Sequence, residues 1–257
     1  TRTLEELTGV PFDESRLSHL LKVERETNAL AWEFVHLQAE HFYPAEFIHH
    51  LFFVLAMQLS AGSEKLRDLL RFMVDDIKRA PRLQGDKILW VHLMPYYQQS
   101  LKAAFDYSPA HQIVAVDMAF CTMSDLADAD PFRALAKKLI GNAMNGPYER
   151  KLALVDRLLD ATHADGVIHF CHWGCKQSAG GSALLRERLH EAGVPLLQLD
   201  GDGIDERNSH DGQIKTRLEA FFEVLEAKRA ESNAQGGDSS GESAAQGGGV
   251  EAKGCAR

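Results

Sequence analysis

The sequence predicts an α/β fold in which a four-stranded parallel sheet carries helices on both faces. Short apolar runs alternate with helical patterns in the second part of the chain, and each connection is long enough for a right-handed crossover. The part before the first run shows helical patterns alone. The four predicted strands are residues 87–93, 112–118, 166–170 and 194–199. We therefore predict a helical subdomain over 1–84, a parallel α/β domain over 85–227 and a disordered tail over 228–257.

The helical subdomain is predicted from one capping pattern and three helical segments. Thr3 and Glu6 fit a capping box at the start of a short first helix. A long helix is expected from about 14 to 41, and residues 42–61 are apolar nearly all round, which is typical of a buried helix. Residues 63–80 place their apolar side chains on one face, as in an amphipathic helix.

The remaining predicted helices connect or follow the strands, at about 96–105, 131–140, the segment carrying Leu152 to Leu159, 182–192 and 213–225. If the strand order in space is 2-1-3-4, Cys121 lies at the same carboxyl edge of the sheet as Cys175, one strand further away.

The tail is predicted from its composition. After Ala227 the chain is rich in Gly, Ser, Ala, Gln and Glu and has no aromatic residue, so it cannot bury apolar area. We expect that the tail can be removed without loss of stability and that Cys255 has no structural role.

Charge and composition exclude several classes of partner. The net charge of −9 disfavours binding to nucleic acid or to an anionic membrane surface, because such proteins concentrate Lys and Arg. No apolar stretch approaches the roughly 20 residues of a spanning helix, and residues near Thr1 do not resemble a signal peptide. We expect a cytoplasmic protein. Its four cysteines are too few for a disulfide framework and are expected to be free, catalytic or metal-bound.

Residues 166–181 are the stretch in which we expect chemistry. A short apolar run leads into a polar loop bounded by glycines and then into a helix, and Cys171 and Cys175 lie within it. Such a loop places side chains and backbone N–H groups at the carboxyl edge of a sheet, where open α/β folds bind ligands.

The run from His172 to Gly181, His-Trp-Gly-Cys-Lys-Gln-Ser-Ala-Gly-Gly, resembles the 2-hydroxyacyl-CoA dehydratase family, relatives of the benzoyl-CoA reductase subunits. The resemblance continues through residues 199–208 and 212–223 and, more weakly, back through 145–147 and 89–95 to 4–9. In this family a further α/β domain precedes the last of these segments and contributes a cluster cysteine. The resemblance therefore implies that the chain is the C-terminal part of a longer protein.

The resemblance also implies a cofactor and a reaction. Cys175 matches the position of a cysteine ligand of a [4Fe-4S] cluster, and thiolates are the usual protein ligands of such clusters. The implied enzyme is a lyase that removes water from a 2-hydroxyacyl-CoA through a one-electron, ketyl-radical mechanism. Its implied partners are a second homologous dehydratase subunit and an ATP-dependent activator iron–sulfur protein.

The other cysteines have two interpretations each. Cys171 ends the third strand where the family is not expected to use cysteine, so a core thiol is favoured and a substitute ligand is the alternative. Cys121 follows the second strand and is a candidate second metal ligand.

Lys176, Gln177 and Ser178 are the candidate catalytic residues, since their side chains could hold a thioester carbonyl or an acyl carboxylate. The alternative for Ser178 is simple helix capping.

His169 and His172 could join the two nearby cysteines in a zinc site, but the Cys-x3-Cys spacing is poor for zinc. We expect His172 and Trp173 instead to tune a cluster through hydrogen bonds and exclusion of water. The acidic residues of the turn after the fourth strand are expected to be structural, with Arg207 as a pairing partner.

Two further functions remain open. A similar complex could reduce an aryl-CoA of the benzoyl type with the same residues. Alternatively, the chain could be a scaffold partner that has lost its cluster.

Overall fold

A computed structural model describes residues 1–238 of the chain. Four helices precede the first strand: α1 (Arg2–Thr8), α2 (Glu14–Gln38), α3 (Phe47–Leu59) and α4 (Glu64–Ile77). The rest comprises β1 (Asp86–Val91), α5 (Gln99–Phe105), β2 (His111–Val116), α6 (Asp117–Phe120), α7 (Pro131–Gly141), α8 (Glu149–Thr162), β3 (Gly166–His172), α9 (Lys176–Ala179), α10 (Ser182–Glu191), β4 (Leu196–Gly201) and α11 (Asp211–Asp238).

The predicted sheet is confirmed. Its strands are all parallel and lie in the order β2-β1-β3-β4. The three strands β1, β2 and β3 are buried almost throughout, as expected for a parallel sheet that is covered on both faces. On one face α5 packs beside α11, and on the other α8 packs beside α10.

Helix ends follow local capping rules at several places. Asp13 begins α2 by accepting a hydrogen bond from the Arg16 backbone N–H at 3.0 Å. Asp130 caps α7 in the same way, and Pro131 occupies the first helical position, where the missing N–H has no consequence. These caps explain why α2 and α7 begin where the sequence predicts.

The helical part and the sheet share one core. Trp90 of β1 is fully buried, and its ring lies 5.2 Å from that of Phe47 of α3. Val35 of α2 and Leu70 of α4 belong to the same apolar cluster. The boundary at residue 84 therefore stays a prediction about domain organisation, since α2 to α4 pack directly on the α/β part.

Two predictions in the helical part are wrong. Thr3 lies inside α1, whose N-cap is Thr1, and no side chain caps this helix. The segment 42–61 is not buried all round. Helix α3 begins only at Phe47, after a capping box formed by Glu46 and His49, and its residues Phe52 and Leu59 are exposed at 56% and 79%. A continuous apolar run indicates a helix but does not identify which of its faces is covered.

The predicted start of the tail is also wrong. Helix α11 continues to Asp238, eleven residues past Ala227. The Lys228 Nζ donates to the Gly193 backbone oxygen at 2.7 Å, and Arg229 pairs with Asp86 at 2.9 Å. The prediction from composition considered only apolar burial, so it did not detect these polar contacts. The remaining tail, residues 239–257 with Cys255, lies outside the described residues.

Candidate functional site

The candidate site lies at the carboxyl edge of the sheet, between β1 and β3. The chain passes from β1 to β2 on one side and later to β3 on the other, so the connections diverge at this point. Open α/β sheets bind ligands in the crevice that such a divergence creates. His92 follows β1, and the loop carrying Cys175 follows β3. The two side chains meet there, with the Cys175 Sγ 3.3 Å from the His92 Nε2.

Cys175 differs from the other cysteines of the described chain in its exposure. It is partly exposed, whereas Cys121 and Cys171 are buried. It occupies the N-cap position of the short helix α9 without making a side-chain capping bond. A Cβ placed on the neighbouring Gly174 would meet only the His172 Nε2, at 3.6 Å. The Cβ side of Gly174, next to Cys175 in the loop, is therefore open.

The thiols of Cys121 and Cys171 are held in protein surroundings. The Cys121 Sγ donates to the Met118 backbone oxygen at 3.2 Å, and burial, followed by the nearby Asp117 carboxylate, raises the pKa of Cys121 to about 11. Burial and the neighbouring Asp200 raise the pKa of Cys171. Both thiols are therefore mainly protonated at neutral pH, and Cys171 lies where a core thiol would.

Ser178 fixes the turn that carries Cys175. It is fully buried, and its hydroxyl contacts the backbone oxygens of His172 and Cys175, each at 3.1 Å. It caps neither α9 nor α10, so the helix-capping alternative for Ser178 is wrong.

The other two candidate catalytic residues lie on either side of Ser178. Gln177 donates to the Met144 backbone oxygen at 2.8 Å, which ties the turn to the segment before α8. Lys176 is exposed. Of the three candidates, Lys176 is the one whose side chain is most accessible to a ligand.

His172 joins the turns after β3 and β4. Its Nδ1 accepts a hydrogen bond from the Gly203 backbone N–H at 3.0 Å and lies 3.8 Å from the Asp202 carboxylate. Arg207 pairs with Asp205 at 2.6 Å, as predicted. Trp173 is 62% exposed, which does not match the expected exclusion of water by its ring.

A buried polar cluster beneath the loop has no counterpart among the predicted site residues. Asp117 begins α6 and Lys151 lies on α8; both are fully buried, and Lys151 Nζ lies 3.1 Å from Asp117 Oδ2. The second carboxylate oxygen of Asp117 accepts the backbone N–H of His92 at 2.6 Å. The charges of Lys151 and Asp117 influence the pKa of His169, and the charge of Asp117 influences the pKa of Tyr148.

A signal for this cluster is present in the sequence. Lys151 shares the helical period of Val155, Leu158 and Thr162, all of which are buried. A charged residue on an apolar helix face requires a buried partner. The carboxylate that directly follows a buried strand, Asp117, is the natural candidate.

Burial controls the protonation of the two histidines, His92 and His169. It lowers the pKa of His92 and of His169 to about 4, with the Lys151 ammonium as the next cause. It also raises the pKa of Tyr148, with a contribution from Asp117. Both histidines are therefore neutral at pH 7.

A glycine allows the loop to pack on this cluster. A Cβ at Gly181 would overlap the ring of Tyr148, so only glycine lets the backbone approach that ring. Gly181, one of the glycines that bound the predicted loop, thus has a packing function as well.

No group of three or more His, Cys, Asp or Glu side chains that could hold a metal ion forms within residues 1–238. Cys175 and its surroundings offer one accessible thiol and one imidazole. Over the same part of the chain, every helix is too short or too polar to cross a membrane.

The fold and the thiol loop define an α/β protein with a partly exposed cysteine at the carboxyl edge of its parallel sheet. The family model of the 2-hydroxyglutaryl-CoA dehydratase D-component matches residues 1–225, and the chain belongs to this family.

Two characterised relatives are similar to the chain. It is 24% identical over 241 residues to the (R)-phenyllactyl-CoA dehydratase alpha subunit of Clostridium sporogenes, covering 89% of this chain and 58% of the relative. It is 28% identical over 102 residues to a benzoyl-CoA reductase subunit of Thauera aromatica, covering 39% of this chain and 24% of the relative. The chain thus spans little more than half the length of the first relative. The predicted resemblance is confirmed.

Proposed function

We propose that the chain serves a 2-hydroxyacyl-CoA dehydratase and that Cys175 is a thiolate ligand of a [4Fe-4S] cluster. The observation that carries this proposal is the position of Cys175, a partly exposed thiol at the crevice between β1 and β3, in a chain of the dehydratase family. A cluster bound there would supply a single electron for the removal of water from a 2-hydroxyacyl thioester.

The described residues fit one ligand of such a cluster. Cys175 is partly exposed, and a Cβ on the neighbouring Gly174 would meet only the His172 Nε2. Cys121, the proposed second ligand, would have to release its hydrogen bond to the Met118 oxygen. Cys171, buried against Asp200, is the less accessible substitute. Because residues 1–238 gather no set of three ligands, we propose that other polypeptide segments complete the coordination.

The chain's own groups would position the substrate and the loop. Ser178 fixes the turn through two backbone oxygens, and Gln177 anchors it to Met144. Lys176 is exposed and cationic, so we propose that it binds an anionic group of the acyl-CoA.

Partners follow from the kind of protein to which the relatives belong. The dehydratase relative and the reductase relative are both named as subunits, so both act within assemblies. We propose a second homologous subunit as partner, and an ATP-dependent iron–sulfur activator as the source of the electron. The proposed class of enzyme is a lyase.

The experiment is anaerobic reconstitution of the chain with iron and sulfide, in the presence of a small exogenous thiol that can fill missing coordination positions. We expect iron and sulfide bound to the chain and broad visible absorption, both lost in Cys175→Ala. Iron content equal in the wild-type chain and in Cys175→Ala would overturn the assignment of Cys175. A colourless, iron-free wild-type chain would instead favour the scaffold function.

Reduction of an aryl-CoA is the second candidate, supported by the match to a benzoyl-CoA reductase subunit. That match extends over 102 residues, against 241 for the dehydratase subunit, so dehydration is favoured. Activity of the assembled complex on 2-hydroxyacyl-CoA and on benzoyl-CoA distinguishes the two.

A further inference from the structure

His92 has a backbone conformation that L-amino acids rarely adopt. Its φ angle is 76°, in the left-handed region, and its side chain is 5% exposed. Strained residues of this kind persist where surrounding contacts fix them, and they are concentrated at functional sites. The contact that fixes His92 is the hydrogen bond from its backbone N–H to the Asp117 Oδ1, at 2.6 Å.

Asp117 is in turn held by Lys151. Both side chains are fully buried and their charged atoms lie 3.1 Å apart. A buried ion pair contributes little net stability, since desolvation offsets most of the attraction between the charges. The role of the Asp117–Lys151 pair is instead geometric, because the pair fixes a carboxylate beneath the backbone of His92.

The position of His92 determines which of its ring nitrogens carries the proton. Its Nδ1 is buried and has no hydrogen-bond partner in the described chain, whereas its Nε2 lies 3.3 Å from the Cys175 Sγ. A buried N–H without an acceptor is rarer in proteins than an unused lone pair. The proton of the ring is therefore assigned to Nε2, directed at the sulfur.

We propose that Asp117 and Lys151 form a positioning pair that holds His92 so that its Nε2–H is donated to the Cys175 sulfur. Hydrogen bonds to a thiolate ligand tune the metal that it binds. This consequence rests on the proposed function, whereas the arrangement itself is formed by the chain's own residues. A failure of iron binding and a failure of this proposal are therefore separate results.

The first measurement uses the metal-free wild-type chain with nitrogen-15 in its histidines. Long-range nitrogen–proton correlation spectra distinguish the two ring tautomers, and His92→Asn assigns the His92 signals because Asn tolerates a positive φ. We expect protonated Nε2, unprotonated Nδ1 and a nuclear Overhauser cross-peak between the His92 ring and the Cys175 Hβ. A proton on Nδ1, or no cross-peak, would overturn the proposal.

The second measurement compares two double variants, in both of which the buried charges are removed together. Asp117→Asn with Lys151→Met keeps an oxygen that can accept the His92 N–H, and we expect the tautomer and cross-peak to be retained. Asp117→Leu with Lys151→Met has no acceptor, and we expect the cross-peak to be lost.

The matched control is Glu24→Gln with Lys138→Met, which removes a largely buried ion pair between α2 and α7. It should leave the His92 signals unchanged. Retention of the cross-peak in the leucine variant, or its loss in the asparagine variant, contradicts the proposal. If the leucine variant does not fold, the wild-type and asparagine-variant spectra decide.

Discussion

Cys171 and Cys175 are four residues apart, yet the structure gives their thiols different surroundings. Cys171 is 6% exposed at the end of β3, and Cys175 is partly exposed in the loop. We predict that Cys175→Ala abolishes iron binding and lowers the free energy of unfolding by about 1 kcal/mol, because the buried His92 ring loses its sulfur partner. Cys171→Ala should retain iron and lower the free energy of unfolding by about 1 kcal/mol. Iron per chain and urea denaturation measure both effects; loss of iron in Cys171→Ala alone would make Cys171 the ligand.

Gly181 gives a second prediction at this scale. A Cβ there would overlap the Tyr148 ring, so Gly181→Ala should lower the free energy of unfolding by about 1–3 kcal/mol. Gly174→Ala is the matched control in the same loop, since its Cβ would meet only one atom, at 3.6 Å. It should change the free energy by less than about 0.5 kcal/mol. Equal destabilisation of the two variants, measured by denaturant unfolding, would contradict the packing argument.

At the scale of elements, the end of α11 contributes to stability. Arg229 pairs with Asp86, a carboxylate that is only 5% exposed, and Lys228 binds the Gly193 oxygen. The free energy of unfolding of a chain ending at Ala227 should therefore be about 1 kcal/mol lower than that of a chain ending at Ala230, because the Asp86 carboxylate loses a partner. Arg229 is half-exposed, which limits the effect. As a control, Lys215→Ala removes an exposed ion pair on the same helix and should have almost no effect on the free energy of unfolding. Equal stability of the two truncated chains would show that the contacts of Lys228 and Arg229 are negligible.

The elements that the sequence predicts well are those with a clear period. The amphipathic helix α4 and the buried strands β1 and β3 lie within a few residues of their predicted positions. The exposed face of α3 and the end of α11 were missed for a common physical reason. Apolar periodicity shows where burial is possible, but contacts between distant segments decide which residues are covered or paired.

The same reason explains what was missed in the candidate site. The glycine-bounded loop places Cys175 at the sheet edge, as local sequence predicts. The contact of Cys175 with His92 joins residues 83 positions apart, and the pairing of Asp117 with Lys151 depends on how α8 packs. Neither is visible in a local pattern.

At the scale of the whole molecule, the buried histidines make stability depend on pH. In the unfolded chain a histidine has a pKa near 6.5, whereas His92 and His169 in the fold have pKa values of about 4. Between these values the unfolded state binds more protons. The free energy of unfolding therefore falls as pH drops from 6.5 towards 4, by about 1.4 kcal/mol per pH unit for each histidine.

His169→Leu tests this dependence. His169 is fully buried, and neither ring nitrogen has a hydrogen-bond partner among the described residues, so an apolar side chain of similar size is tolerated. Urea denaturation between pH 7.5 and 5 should show a shallower pH dependence in the variant, reduced by about 1 kcal/mol per pH unit. An unchanged slope would mean that His169 titrates normally in the folded state.

Helix α11 runs from the carboxyl edge of the sheet, where Asp211 contacts Ser100, to the amino edge, where Arg229 contacts Asp86. The far end of this helix is therefore opposite to the Cys175 loop. An anchor attached there would orient the molecule on an electrode or a bead with its thiol crevice facing the solution, so that redox proteins could be presented to it from one side.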